Sequence, residues 1–312
     1  MNKNTHKYLR AACVCAAFIT VLTLVACTKT SGTDSAQGFK LGVLEIKALT
    51  DIQNVMGASI LISPEKPELM NHVPANFTMT NIIAVILARY ENDAIIFDTG
   101  LGSQSGGELL NALEKADLTP DDITGIFLTH MHPDHIGGLI HEGKPAFPKA
   151  TVYIPAEEAA YFLPDDLSDI PEDQRARFSN IADLFAILKA AEIPIVTFPS
   201  GSNLETYFGN GAFSFMSERA FGHTPGHTVY KLASKEEELL IWADILHVMD
   251  VQLTYPDISA IYDMDPIRAA GERRRLLHYA AENKSIVTGA HVAPEAFFTI
   301  SKKGDGFTRK GL

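Results

Sequence analysis

Cysteine is nearly absent from this chain. Only Cys13, Cys15 and Cys27 occur among the 312 residues, and none of them lies beyond position 27. The rest of the chain therefore forms no disulfide and offers neither a cysteine nucleophile nor a thiolate metal ligand. A site in that part of the chain must use oxygen and nitrogen groups.

Basic residues are also in deficit. Lysine and arginine number 26 against 38 aspartates and glutamates, so the formal net charge is −12. Removal of the leader, with Lys3, Lys7 and Arg10, would take the charge from −12 to −15. Nucleic acid needs a basic face for its phosphates, so it is not an expected partner. A neutral or weakly charged small molecule is the expected type of substrate.

A long apolar run occurs at the N-terminus. The first ten residues carry three basic side chains and no acid, and an apolar run follows as far as Ala26, which is the layout of a secretory signal. The run is too short for a comfortable membrane span. It ends in Leu24-Val25-Ala26-Cys27, which resembles the bacterial lipoprotein box. We expect a signal peptide at 1–26, a lipidated Cys27 as the sole membrane attachment and a periplasmic location. The alternatives are an ordinary signal peptide and an uncleaved anchor.

The remainder of the chain has the pattern of one folded domain. Residues 27–38 are mostly small and polar, and they predict a flexible linker before a domain at 39–312. Two strand-rich halves with helices between them predict an α/β fold, an αββα sandwich in a single domain, and not a strictly alternating parallel sheet. The predicted strands include 81–90, 93–100, 123–129, 150–156 and 285–292, and the predicted helices include 106–118, 174–192 and one with Asp265 as N-cap and Pro266 at its first position that ends near 283.

Three histidines and an aspartate are concentrated directly after one predicted strand, in LTHMHPDHIGG at 128–138. In an extended segment, residues two apart face the same way, so His130 and His132 can reach one ion together. Pro133 and the following turn redirect Asp134 and His135 towards a second position. Two metal ions explain this crowding better than one.

The remaining ligands must come from elsewhere in the chain, and three later stretches offer them. The GHTPGHT stretch contains His223 and His227, and Asp244 and His291 each end an apolar strand. An ionised carboxylate is unusual in such surroundings without a strong partner. Each residue alone fits an ordinary polar strand end. Together with the 130–135 cluster, they fit a metal site built along one edge of a sheet.

These motifs resemble those of a known family. HMHPDHIGGL, GHTPGHT and the DILHVMDVQL stretch from Asp244 are similar to motifs of the metallo-β-lactamase-fold hydrolases. The closest resemblance is to the methyl parathion hydrolase branch, which includes lactone- and arylester-cleaving enzymes. The likeness covers nearly all of 39–312. Ala243 departs from it, because the family usually has glycine before the aspartate, and we expect a minor backbone adjustment there.

The resemblance implies ligands for two divalent metal ions. Zinc is the expected metal, with manganese, iron and cobalt as alternatives for nitrogen and oxygen ligands. The family pattern favours His227 over His223 as the ligand in GHTPGHT, because His227 directly precedes a strand, and it leaves His223 a structural role near the site. Asp98 matches a position that orients the first ligands. The implied ligands are His130, His132 and His227 for metal one and Asp134, His135 and His291 for metal two, with Asp244 bridging both.

The resemblance also implies a reaction. Two metals that share a water lower its pKa towards about 7, and the metal-bound hydroxide attacks a carbonyl or phosphoryl centre. We expect hydrolysis of lactones, aryl esters or phosphotriesters, with Asp134, Asp244 and His247 as catalytic residues. His247 lies three residues after Asp244, where lactone-cleaving relatives often have tyrosine. It either donates a proton to the leaving alkoxide or supports a metal ligand.

Other functions remain open at this point. The alternatives are a glyoxalase II-like thioesterase, a β-lactamase, a persulfide dioxygenase with one iron, and a lipid-anchored binding protein with a structural metal. The sequence also leaves open whether the chain forms a homodimer. Several aromatic residues either line a substrate pocket or pack in the core, whereas Trp242 is expected in the core. The residues in question are Tyr161, Phe162, Phe178, Phe297 and Phe298.

Overall fold

The computed structural model describes residues 37–312. The predicted signal peptide at 1–26, Cys27 and nearly all of the predicted linker lie outside the described residues. Gln37 and Gly38, at the end of that linker, belong to the folded body, in which Gly38 begins the first strand. Within the described part of the chain, no helix is both long enough and apolar enough to cross a membrane.

The described chain alternates between strands and helices. Its strands are β1 Gly38–Leu41, β2 Leu44–Gly57, β3 Leu61–Ile62, β4 Thr78–Tyr90, β5 Asp93–Phe97, β6 Gly125–Phe127, β7 Ile140–His141, β8 Lys144–Pro145, β9 Thr151–Pro155, β10 Ile195–Phe198, β11 Ser214–Arg219, β12 Thr228–Ser234, β13 Glu237–Ile241, β14 Ser259–Ala260, β15 Ile286–Thr288, β16 His291–Val292, β17 Phe298–Lys303 and β18 Gly306–Gly311. Its helices are α1 Leu109–Lys115, α2 Pro133–Ile136, α3 Ala156–Phe162, α4 Glu172–Ala190, α5 Met249–Thr254 and α6 Pro266–Asn283.

Two mixed sheets form the centre of the fold. The first has the order β1-β2-β4-β5-β6-β9-β10, with β16 paired to β4, and the second has the order β11-β12-β13-β15-β17-β18. In the first sheet, antiparallel pairing from β1 to β5 changes to parallel pairing from β5 to β10. Neither sheet is a strictly alternating parallel one. The predicted α/β fold, an αββα sandwich in one domain, is confirmed.

The strands of the first sheet separate two cores because successive side chains point to opposite faces. In β5, Ile95 and Phe97 face the core shared with the second sheet, while Ile96 faces the core under the helices. In β6, Phe127 and Ile126 divide in the same way. Each fully buried side chain of this size contributes roughly 1.5–3 kcal/mol to folding.

Helices cover the outer faces of both sheets. α4 buries Phe178, Ile181, Phe185 and Leu188, whose spacing places them on one helical face against the first sheet. α6 packs on β17 of the second sheet. It begins as predicted, because the Asp265 side chain accepts a hydrogen bond from the Arg268 amide at 3.0 Å and Pro266 is the first helical residue.

The segment predicted as one strand at 285–292 is divided between the two sheets. β15 pairs with β13 in the second sheet, and β16 pairs with β4 in the first. The chain crosses between them at Gly289, where an added Cβ would lie 2.6 Å from Trp242 ring atoms. Glycine is therefore required at this close approach. The crossing delivers His291 to the edge where the two sheets meet.

A β-bulge in β2 lies on the opposite side of that edge. The register between β2 and β4 shifts between Thr50 and Ile52, which turns Asp51 towards the loop after β5. The Asp51 carboxylate accepts hydrogen bonds from the amides of Leu101 at 2.7 Å and Leu109 at 3.0 Å. It thus fixes the loop that follows Asp98 and the first turn of α1.

Candidate metal centre

The histidine-rich loop begins where β6 ends. The Leu128 amide donates to the Tyr153 carbonyl at 2.9 Å, so the strand pairing continues for one more residue before the chain turns into the site. α2 is a single turn with Pro133 at its first position and His132 before it. The turn separates His130 and His132 from Asp134 and His135, as the motif predicted.

A first cluster of ligand atoms is enclosed between the sheets. His130, His132, His223 and Asp244 each offer one ligand atom, and these atoms lie within 4.8 Å of one another. Nε2 of His223 is 2.9 Å from Nδ1 of His132 and 3.2 Å from Nε2 of His130. It is also 3.3 Å from an Asp244 carboxylate oxygen. One nitrogen from each of three imidazoles thus converges beside a carboxylate.

A second cluster adjoins the first. Asp134, His135 and His291 bring one ligand atom each within 4.8 Å of the others. Nε2 of His291 is 3.3 Å from an Asp134 oxygen. Asp244 of the first cluster also reaches the second, because its two carboxylate oxygens lie 3.2 Å from Nε2 of His135 and from Nε2 of His291, respectively. Its central position is the one expected of a bridging ligand.

The structure corrects the assignment within GHTPGHT. Both ring nitrogens of His227 face backbone groups: Nδ1 lies 3.0 Å from the Ala220 carbonyl, and Nε2 accepts the Asp244 amide at 3.2 Å. His227 therefore has no nitrogen to offer a metal, and the prediction that it is a ligand was wrong. His223 is the histidine of this stretch that joins the first ligand cluster. His227 has the structural role that the resemblance implies for His223.

Hydrogen bonds behind the ligands fix the rings. Nδ1 of His135 is 2.8 Å from the Asp98 carboxylate, which also accepts from the Thr129 amide at 2.7 Å and hydroxyl at 2.8 Å. The Thr129 hydroxyl in turn lies 3.0 Å from Nδ1 of His130. Such partners set ring orientation and leave the opposite nitrogen for the metal. The structure therefore places Asp98 behind the first ligands, where the resemblance expects it.

Glu158 is a support that the sequence reasoning missed. This residue of α3 is buried, and its carboxylate accepts hydrogen bonds from the Met131 amide at 2.8 Å, the Gly226 amide at 2.9 Å and the Thr224 hydroxyl at 2.8 Å. Burial raises the pKa of Glu158 to about 7, against the opposing effect of these donors. The side chain joins the two loops that carry the first cluster. Its signal was a glutamate four residues before buried Phe162, on the same helix face.

The supporting residue behind His223 was also missed. Nδ1 of His223 is 2.9 Å from the carboxylate of Asp263, which is itself bonded to the buried guanidinium of Arg273. In the sequence, both residues look like ordinary charged positions near the start of a helix. Only the tertiary fold shows that they are buried against the site.

The electrostatics of the clusters favour positive charge. Burial by itself would lower the pKa values of His223 and His291, but their carboxylate neighbours, Asp244 foremost, raise each to about 9. Burial would raise the pKa of Asp244, yet His135 and His291 keep it well below its usual value. An ionised carboxylate among histidines is a setting that a divalent cation stabilises.

Two buried atoms at the centre of the site give a direct test of that fit. Nε2 of His135 and Oδ1 of Asp244 lack a hydrogen-bond partner among residues 37–312, although they lie 3.2 Å apart. Buried polar atoms without partners are costly unless another ligand satisfies them. A metal ion held by nitrogen and oxygen atoms accounts for both. The residues present therefore fit a metal.

Backbone strain is concentrated beside the ligands. Ala243 has φ 51° and Asp98 has φ 63°, both in the left-handed region that favours glycine. The expected adjustment at Ala243 is thus a left-handed alanine. Strain of this kind persists where the surrounding structure holds it, often at functional sites.

His247 lies within the site and not above it. Its Nε2 is 3.3 Å from the Asp244 carboxylate, and its ring stacks on His291 with centroids 4.8 Å apart. The side chain is buried, and the His247 amide donates to Gln252 at 2.7 Å. Of the two roles considered for this residue, these contacts favour support of Asp244.

The expected aromatic residues divide between the site and the core. The Phe162 ring is 6.5 Å from the His132 ring, edge to face. Phe178 packs on Phe162 under α4, and Phe297 and Phe298 pack in the core between the sheets. Trp242 is fully buried in that core, as predicted.

Two clusters of nitrogen and oxygen ligands that share one carboxylate, at the edge of an αββα sandwich, define the class of metal-dependent hydrolases with this fold. Residues 78–291 match the Metallo-beta-lactamase superfamily, and the chain belongs to that family.

Several known proteins are similar to this chain. The hydrolase AbOPH, of the β-lactamase superfamily, is 25% identical with a TM-score of 0.77 over 90% of this chain and 98% of its own. AidC, a dizinc quorum-quenching lactonase solved with the product N-hexanoyl-L-homoserine, is 28% identical with a TM-score of 0.74 over 89% and 97%. The N-acyl homoserine lactonase AiiB of Rhizobium rhizogenes is 27% identical over 129 residues, 34% of this chain and 45% of AiiB. The chain spans less than half the length of the curated relatives it matches.

Proposed function

We propose that this protein is a dinuclear metal-dependent hydrolase of lactones and related esters. The observation that carries the proposal is the pair of adjoining ligand clusters, with Asp244 in the first and 3.2 Å from His135 and His291 of the second. The similarity to a dizinc lactonase and to the hydrolase AbOPH supports hydrolysis of lactones as the activity. We propose aryl esters and phosphotriesters as further substrates.

The two clusters would each hold one ion, and zinc is the proposed metal. Bound ions of this kind supply a nucleophile from water at neutral pH and polarise the scissile carbonyl. The chain's part is to hold the ligands at fixed positions and to shield them from bulk water. The ligands proposed are His130, His132 and His223 for one ion and Asp134, His135 and His291 for the other, with Asp244 shared.

Asp134 lies on the solvent-exposed side of the site. Its side chain is 23% exposed, whereas the other ligands are buried. Substrate therefore approaches over Asp134, and the reacting carbonyl would meet the edge of the second cluster. Asp134 and Asp244 are the carboxylates nearest the proposed reaction.

The proposed site mouth consists of Arg177 and Tyr262, with the buried Phe162 ring beneath Arg177. The Arg177 guanidinium lies 5.1 Å over the Phe162 ring, and the Tyr262 ring is 5.7 Å from that of His247. Nε and Nη2 of Arg177 are buried without a hydrogen-bond partner in the described chain. We propose that Arg177 donates to a carbonyl oxygen on the acyl part of the substrate. Such a contact satisfies donors that are otherwise costly to bury.

A substitution of Arg177 tests this contact. Arg177→Met should raise KM about tenfold for an acyl-homoserine lactone, since a hydrogen bond to a charged group contributes about 1.5–3 kcal/mol, and should affect a lactone without the amide much less. The matched control is Arg175→Met, because Arg175 bonds to Glu172 on the surface. Equal effects on both lactones would refute the contact.

Metal counting and a substrate panel test the function as a whole. The purified protein should contain two ions per chain, and its activity should disappear with His132→Ala. The panel should include acyl-homoserine lactones, aryl esters, phosphotriesters, a glutathione thioester and a β-lactam. Turnover of the thioester alone would indicate a glyoxalase II-like enzyme. One tightly held ion without hydrolysis would indicate a binding protein with a structural metal.

His247 can be assigned by comparing leaving groups. A general acid contributes typically about 10²–10⁴-fold, mainly where the leaving group needs a proton. A support of Asp244 would affect all substrates alike. We expect His247→Ala to reduce kcat equally on alkyl and nitrophenyl esters and to weaken metal binding. A loss confined to alkyl esters, with normal metal content, would make His247 the proton donor.

We propose further that the protein is exported and anchored in the periplasm by a lipid on Cys27. The proposal rests on the sequence around that residue alone. Cys27→Ser should release the protein from the membrane fraction into the soluble one. Unchanged partitioning of this variant would exclude the lipid anchor.

A further inference from the structure

A buried carboxylate holds the ring of His223 from behind. One oxygen of Asp263 is 2.9 Å from Nδ1 of His223. The other accepts the Ala260 amide at 3.0 Å and Nη2 of Arg273 at 3.2 Å. With a carboxylate as acceptor, Nδ1 is the donor, which leaves Nε2 as the nitrogen that a metal would take. Nε2 is the atom that faces His130 and His132.

Arg273 connects this carboxylate with the backbone of a second ligand. Its guanidinium is fully buried and donates to the carbonyl of Ile245, the residue after Asp244, at 2.7 Å. It also donates to the carbonyls of Pro256 at 3.0 Å and Ile258 at 2.7 Å. A single side chain from α6 therefore ties together the segments on either side of the first cluster.

We propose that Asp263 and Arg273 are positioning residues that preform the first ligand cluster. Asp263 sets the orientation and protonated nitrogen of His223, while Arg273 holds Asp263 in place and fixes the backbone beside Asp244. The inference rests on the metal-binding part of the proposed function and not on the reaction that follows.

The position of this pair explains why it is retained in the interior. A buried ion pair contributes little net stability compared with apolar residues of the same volume. Apart from the bond between Asp263 and Arg273, however, the contacts of this pair are to the metal-facing His223 and to backbone groups. A carboxylate behind a metal-binding histidine raises the basicity of the ligand, and its loss costs about 10–100-fold in metal affinity.

The test is the zinc affinity of Asp263 variants, measured by competition with a chromophoric chelator. We expect Asp263→Asn, which keeps an acceptor, to weaken one of the two ions about tenfold and Asp263→Ala to weaken it about 100-fold. The matched control is Asp265→Asn, two residues along, because the Asp265 side chain caps α6 and asparagine also caps helices, while the backbone bond to Gly222 is unchanged. The visible spectrum of the cobalt-loaded protein should change in the Asp263 variants alone.

A double variant separates positioning from general support of the fold. If Asp263 acts through His223, Asp263→Asn should have no further effect on zinc affinity in a His223→Ala background. An equal loss in both backgrounds would overturn the inference. So would wild-type affinity in both Asp263 variants, or a lower melting temperature of the metal-free protein as the sole effect of Asp263→Asn.

Failure of this inference differs from failure of the proposed function. If the natural chain binds no zinc, the proposed metal centre itself is refuted. If the natural chain binds two ions and the Asp263 variants match it, the positioning role alone is refuted. Arg273→Lys gives a second check, since lysine cannot reach all four acceptors of Arg273. It should weaken the same ion as Asp263→Asn.

Discussion

The two ligand clusters share Asp244 but differ in how they are enclosed. In the first, His130, His132 and His223 are all buried, and His223 is backed by a carboxylate. In the second, the Asp134 side chain is 23% exposed. Within residues 37–312, the side-chain partner behind His291 is the neutral amide of Asn81, at 3.4 Å.

This difference indicates that the clusters divide two tasks. Enclosure holds ligands rigidly and excludes competing water, which favours tight binding of an ion. Partial exposure admits substrate but lets water compete for the ligands. We infer that the first cluster holds the tighter ion and the second cluster presents the exchangeable, substrate-facing one.

Metal removal should give the largest effect. We expect a chelator titration to abolish hydrolysis in two stages, with the ion of the second cluster leaving first. Loss of one ion present at about 1,000 times its Kd removes about 4 kcal/mol of stability, so each of the two stages should lower Tm by about 10 °C. Calorimetry together with metal analysis at each stage would check this. Simultaneous loss of both ions would remove the distinction between the clusters.

The paired variants His223→Ala and His227→Ala should differ next most strongly. His223→Ala removes a direct ligand of the first cluster, so zinc affinity should fall by more than the roughly 100-fold cost of an outer partner. His227→Ala removes a contact to the Asp244 backbone and should stay within that range. The same competition assay measures both variants. A larger loss for His227→Ala would return that residue to the ligand set.

This pair of histidines also shows where sequence reasoning ends. The continuous apolar run at 93–97 predicts β5, because both faces of this strand are buried, and the Asp265-Pro266 start signal predicts α6. The metal-facing residues of the 130–135 loop follow from local geometry in the same way. The choice between His223 and His227 depends on the Ala220 carbonyl and the Asp244 amide, which only the tertiary fold brings close.

The residues that hold the ligands from behind could not be predicted from the sequence for the same reason. Asp98 was found through a resemblance, but Glu158 and Asp263 are acidic residues whose burial is decided by elements far apart in the chain. Glu158 meets Met131 and Gly226 across the edge of the sandwich. The local signal of Glu158, its position four residues before Phe162 on the same helix face, does not identify the groups that the carboxylate contacts.

Asn81→Ala should have a smaller effect, confined to the second cluster. Removal of the amide leaves Nδ1 of His291 without its side-chain partner, and the ion of the second cluster should bind about tenfold more weakly, at the lower end of the cost of an outer support. The first ion should be unaffected. Stepwise competition with a chelator would resolve the two ions. A loss shared equally by both would contradict the independent support of the clusters.

Substitution of Ala243 should give the smallest effect. It tests Asp244, the adjacent residue that contacts both clusters. Glycine relieves the left-handed strain of about 1–2 kcal/mol, but it loses a buried methyl worth about 0.8 kcal/mol and adds freedom to the unfolded chain worth about 0.4–1 kcal/mol. Ala243→Gly should therefore change the free energy of unfolding by less than about 1 kcal/mol and leave zinc affinity unaltered. Ala243→Val is the contrasting variant, because a β-branched residue tolerates φ 51° poorly. It should displace the adjacent Asp244 and weaken both ions together, unlike Asn81→Ala. If Ala243→Val weakened only one ion, Asp244 would belong to that cluster alone.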